Sequence, residues 1–130
     1  MFSFFGSKKK TEEKKEPVAV SGNADELRAR AAELIKKLPT ATSKQEKVKL
    51  LNEIGSCYFK AGDKDDAINY YEQSLAEDKQ LGKAYTDLLK LYNQKRQEAA
   101  EAKDDAKIKE YLGKVQELMQ TSKDVIRGKV

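Results

Sequence analysis

From Ser43 to Leu75 the apolar residues return at intervals of three and four, and the pattern breaks once, at Gly62 and Asp63. That period belongs to an amphipathic helix, and a glycine reversal this short leaves room only for two antiparallel arms. The first arm carries Val48, Leu51, Ile54, Gly55, Tyr58 and Phe59, and the second carries Ala67, Ile68, Tyr71, Ser74 and Leu75. Ser43 with Glu46 makes a capping box for the first arm, and Gly62 ends it. Asp63, Asp65 and Asp66 place carboxylates at the positive end of the second. Gly55 costs about 1 kcal/mol relative to alanine inside a helix, so a close approach of the other arm is expected there. Ala67 is expected to meet it from the opposite side, with Tyr58 and Tyr71 filling the wider parts of the contact.

Helical spacing continues on both flanks. Asn23 and Glu26 make a capping box for a run that places Leu27, Ala31, Leu34, Ile35 and Leu38 on one stripe, stopped by Pro39. After a link around residues 78–82, Ala84, Tyr85, Leu88, Leu89, Leu91 and Tyr92 form another stripe, followed by the polar run NQKRQEAAEAKDD. The last stripe is Ala106, Ile108, Tyr111, Leu112, Val115, Leu118 and Met119, continuing to Val125 and Ile126. The reading is all-α, with about five helices in a domain over 23–127 and a disordered amino-terminal tail over 1–22.

The 130 residues suffice for one thin core, since 37% are charged against 38% hydrophobic. Histidine is absent and Cys57 is the single cysteine. A disulfide within the chain, a thiolate cluster and a mixed zinc site are therefore excluded, and a reducing, cytoplasmic setting is expected. Without imidazole no acid–base or nucleophilic arrangement stands out, so no enzyme and no cofactor are expected. Cys57 borders the apolar side of its helix and reads as a packing residue, the alternative being a modified thiol. GDKDD at 62–66 lacks the ligand sequence of a calcium loop and reads as a turn with helix-start charge. The 26 basic and 22 acidic residues are interspersed, so nucleic acid is not an expected partner.

In the tail, Phe2, Phe4 and Phe5 precede Lys8, Lys9 and Lys10. An aromatic wedge followed by lysines has the composition of a reversible membrane-surface contact, and equally of a frayed terminus or a docking segment. Phe2 replaces the glycine that myristoylation requires, and no run reaches the length of a membrane-spanning helix.

The segment LNEIGSCYFKAGDKDDAINYYEQS resembles the tetratricopeptide repeat, a 34-residue helix-turn-helix unit. Leu51 stands at the family's tryptophan position, Ile54 and Gly55 at Leu-Gly, Tyr58 at Tyr, Gly62 at the turn, Ala67 at Ala and Tyr71 at Phe. Ser74 and Lys79 stand where the family favours alanine and proline. The resemblance covers about 48–81, with a degenerate, extended second repeat at about 82–120. In that copy Asp104 to Ala106 echo Asp65 to Ala67 at 39 residues, five beyond the period, so its helices are expected to be long and to meet at a displaced turn. Residues 23–38 would cover the open end of the first repeat.

The resemblance implies a short right-handed helical solenoid whose first helices line a concave side that binds peptide segments or helices. Its inward residues would be Lys49, Asn52, Glu53, Ser56, Phe59 and Lys60, then Lys83, Thr86, Asp87, Lys90 and Asn93. Phe59 would anchor an apolar partner side chain or pack on the amino-terminal helix. Asn52 and Ser56 occupy the places of lysine and asparagine in the family's carboxylate clamp, a departure that argues against that specialised activity. The expected function is a non-enzymatic adaptor or scaffold for a protein partner. The alternative is a structural helical domain used for self-association or assembly docking, with peripheral membrane contact through the tail compatible with either.

Overall fold

The computed structural model describes residues 20–128, and the Phe2–Lys10 contact lies outside them. Five α-helices follow one another: α1 (Val20–Lys37), α2 (Lys44–Ala61), α3 (Lys64–Glu77), α4 (Lys83–Glu101) and α5 (Asp105–Ile126). A 3-10 turn at Leu38–Thr40, with Pro39 near its start, separates α1 from α2. The apolar periodicity thus produces an all-α chain among the described residues. Each helix packs on the next in order, and α2 also reaches α4. Consecutive hairpins laid side by side in this way form a short helical solenoid.

The helix ends follow local chemistry. Ser43 accepts the amide of Glu46 at 3.1 Å, and the Glu46 carboxylate turns back to the amide of Thr42 at 2.8 Å. The reciprocal half of the expected box therefore closes one residue earlier, on Thr42, and these bonds hold the Glu46 carboxyl below its ordinary range. Gly62 adopts φ +87°, its amide donates to Phe59 and the Asp63 amide donates to Tyr58, so the reversal satisfies the last carbonyls of α2. α1 begins at Val20, not Asn23. Residues 20–22, read from the sequence as tail, are helical, and Asn23 lies inside the helix where it cannot act as the cap. The first turn of α1 is extended by residues whose polarity gave no such signal.

Gly55 is buried, but its neighbour is not the methyl of Ala67. A Cβ at position 55 would lie 2.8 Å from Cδ1 and 2.9 Å from Cε1 of Tyr71, so the missing side chain makes room for an aromatic ring. The ring is fully buried and lies in one apolar cluster with Ala67, Leu75, Leu88, Leu91, Tyr92, Tyr111 and Leu118. A second cluster joins Ala31 and Leu34 of α1 to Ile54 and Cys57 of α2. The first helix is therefore part of the core, and it covers one end of the stack.

The second hairpin is longer than the first, with 19 and 22 residues in α4 and α5 against 18 and 14 in α2 and α3. The polar run after Tyr92 continues α4 to Glu101 with Ala99 buried, and then forms the turn into α5. Its turn uses Lys103 at φ +58°, with Lys103 bonded to Ala100 and Asp104 to Ala99, the same arrangement that Gly62 makes. Lys103 stands 41 positions after Gly62, seven beyond the 34 that separate Leu51 from Tyr85. Seven residues are almost two full turns, so the added length keeps the same side of α4 toward α5. The Asp-Asp-Ala echo is consequently out of register. Asp104 caps α5 through the Lys107 amide at 3.1 Å, and Ala106 is exposed instead of joining the apolar stripe. Leu112 and Met119, read as part of that stripe, are also exposed.

Candidate functional site

An open cleft of about 420 Å³ runs between the start of α2 and the start of α4. Gln45, Val48, Lys49, Asn52, Glu53 and Ser56 form one wall, at spacings that keep them on one side of α2. Asp78 and Gln80 from the α3–α4 link, with Lys83 at the first position of α4, form the other. The five-residue link sets the distance between the walls, and the rigid hairpin behind α2 fixes its orientation.

The cleft floor is tied to the core by polar contacts. The buried Ser74 hydroxyl donates to the side-chain oxygen of Asn52. Serine in place of the repeat's usual alanine is thus matched by an asparagine on the facing helix. Tyr71, whose ring lies over Gly55, donates its hydroxyl to Asp87 at 2.7 Å, and the Lys83 ammonium lies 2.8 Å from the same carboxylate oxygen. Burial first, then the neighbouring Asp87 carboxylate, pushes the Tyr71 hydroxyl far above its ordinary range, so it remains a donor. Glu53 faces Arg30 of α1 at 3.6 Å. The cleft therefore presents two cations, amide and hydroxyl groups, two carboxylates and the apolar Val48.

Of the eleven residues assigned to the concave side from the sequence, the structure brings Lys49, Asn52, Glu53, Ser56 and Lys83 together around this cleft. Asp87 is only 4% exposed and is engaged by Tyr71 and Lys83, so it holds the wall in place from behind. Phe59 packs against the α3–α4–α5 cluster, neither free in the cleft nor on the amino-terminal helix. Lys60 lines a different hollow, with Asn23, Glu26, Leu27 and Arg30 between α1 and α2. Thr86 and Lys90 are exposed and Asn93 is half-buried, its amide donating to the Leu89 carbonyl at 3.1 Å, and none of the three lines the cleft.

Sequence reasoning missed Gln45, Val48, Asp78 and Gln80. The first two were accessible to it, because stepping back from Asn52 by four and seven positions reaches Val48 and Gln45 on the same side. Asp78 and Gln80 lie in a link without helical period, and only the fold brings them opposite α2.

The remaining polar constellations have structural partners. The Asp63 carboxylate accepts from Arg28 at 2.7 and 3.0 Å, and Asp65 pairs with Lys95 at 3.0 Å. Cys57 is buried, and burial pushes its thiol up, away from the reactive thiolate. Among the described residues no helix is long and apolar enough to cross a membrane.

Comparison with protein families matches residues 48–81 to the tetratricopeptide repeat. No curated protein and no solved structure matches the chain. The matched residues coincide with most of α2, the Gly62 reversal, α3 and the link that completes the cleft. Residues 48–81 thus match a single tetratricopeptide repeat, and the described part of the chain is a short helical scaffold built around the α2–α3 hairpin.

Proposed function

We propose that this protein is a non-enzymatic adaptor that holds an extended segment of a partner protein in the cleft between α2 and α4. The observation that carries this reading is the convergence of Lys49, Asn52, Ser56 and Lys83 from two helices on one open cleft. Asn52 is held by Ser74 and Lys83 by Asp87, so these groups are positioned before any ligand arrives. Preorganised polar groups lose less freedom on binding than mobile ones. The mixture of donors and acceptors suits peptide backbone, with Lys49 available to a carboxylate of the segment while Lys83 already meets Asp87.

The test is capture of partners by the full chain with a photo-crosslinking residue at position 49, compared with the same residue at the exposed position 69 of α3. A partner crosslinked from position 49 should be lost when Ser56→Arg fills the cleft, with circular dichroism unchanged. Identical partners from positions 49 and 69, or capture indifferent to Ser56→Arg, would remove the cleft reading.

A further inference from the structure

The outer flank of α5 carries an uncovered apolar row. Its core side is Tyr111 and Leu118, both buried, and the adjoining row of Ile108, Val115 and Ser122 is half-buried. One step further round, Leu112, Met119 and Ile126 are 43%, 51% and 75% exposed. Together the two rows alternate steps of four and three over nearly three heptads, the spacing of a seam that receives one other helix. The backbone of α5 lies against α4 alone among the described helices, so this flank is left uncovered by the described residues.

The charges beside the seam select among occupants. Its solvent border is formed by Lys109, Gln116 and Lys123, with Arg127 next to them, all exposed. The acids of the helix, Glu110, Glu117 and Asp124, fall further round, beyond this border. A second copy packed antiparallel along the seam would bring one cationic border against another, which like-charge repulsion opposes. A single exposed row is narrower than the apolar face of about 100° that an amphipathic helix ordinarily buries, which leaves little area to enter a membrane surface.

We infer that the Ile108–Ile126 seam of α5 docks an amphipathic helix of a partner protein whose apolar stripe is flanked by glutamate or aspartate. Leu112, Met119 and Ile126 enter the partner's stripe, and Lys109, Lys123 and Arg127 face its carboxylates. This surface is separate from the α2–α4 cleft and does not depend on that reading.

The experiment uses the full chain and two fluorescent 22-residue helical peptides with leucine at the two seam positions of each heptad. One carries glutamate and the other lysine at the flanking positions. Three exposed charge pairs favour the glutamate peptide by roughly tenfold at low salt, a preference that shrinks as salt is raised. Met119→Glu, at an exposed position, should abolish binding with the circular dichroism spectrum and melting temperature unchanged. Lys109→Glu, Lys123→Glu and Arg127→Glu together should invert the preference, whereas Lys49→Glu in the cleft should leave it intact. Absence of binding by either peptide, or equal affinity for both, overturns the inference. So does flotation with phosphatidylserine vesicles, or a sedimenting dimer, that Met119→Glu abolishes.

Discussion

The ring of Tyr71 lies over Gly55 while its hydroxyl donates to Asp87, so one side chain joins α2, α3 and α4. Gly55→Ala should therefore destabilise the protein, although alanine is the better helix former by about 1 kcal/mol. The added methyl meets a rigid, fully buried ring with no flexible end to yield, and overpacking of this kind costs about 1–3 kcal/mol. Urea denaturation should show a lowered midpoint at unchanged slope, and a raised midpoint would refute this account of the glycine. The Asn52–Ser74 pair gives a second test. Asn52→Ala leaves a buried hydroxyl without its acceptor at a cost of about 1–3 kcal/mol, and adding Ser74→Ala should restore most of that loss. Strict additivity in the double-mutant cycle would mean the two side chains are not coupled. Gly55 was legible as a point of close approach because glycine inside a helix is unfavourable without one. Its neighbour was not, since Tyr71 reaches it through the geometry of the crossing and not through spacing along either helix.

At the scale of the helices, Arg28 of α1 grips Asp63 at the α2–α3 reversal through two hydrogen bonds. The guanidinium holds the Asp63 carboxyl below its ordinary value of 3.8. Because the folded value is depressed, the stabilisation is present above the ordinary value and is lost as pH falls through the lower folded one. An NMR titration should find Asp63 protonating below 3.8 in the wild type and returning toward that value in Arg28→Ala. The stability difference between the two proteins should shrink over the same acid interval, and a difference constant through it would contradict the assignment. The pair exposes one side to water, so its contribution is expected to be small and weakened by salt. Helix number and most boundaries were readable from period, caps and the Gly62 reversal. The start of α1 was not, and neither was the turn at Lys103, where a non-glycine residue takes a left-handed conformation that the hairpin contacts hold in place.

Over the whole molecule, the two apolar clusters meet at Tyr58, which packs against both and stacks on Tyr70 with ring centres 5.8 Å apart. Tyr58→Ala should loosen the coupling between α1 and the rest of the stack. Native-state hydrogen exchange should then show α1 amides opening at lower free energy than those of α3 and α4, where the wild type shows a smaller gap. A uniform fall across all helices would mean that the molecule opens as one unit. The ends of the stack also differ, because α1 presents charged residues outward and α5 presents Leu112, Met119 and Ile126.

Alone, the sequence determined the helical class, the α2–α3 hairpin, its resemblance to a tetratricopeptide repeat and the exclusion of histidine chemistry. These follow from local period, turn residues and composition, which act over one or two helical turns. Tertiary structure decided that Asp87 and Phe59 serve the scaffold, that link residues Asp78 and Gln80 complete the cleft, and that one row of α5 stays uncovered by the described residues. An amphipathic pattern says that a face wants burial. Which neighbour buries it, and where the neighbours run out, depends on crossing angles and link lengths that join residues far apart in the chain.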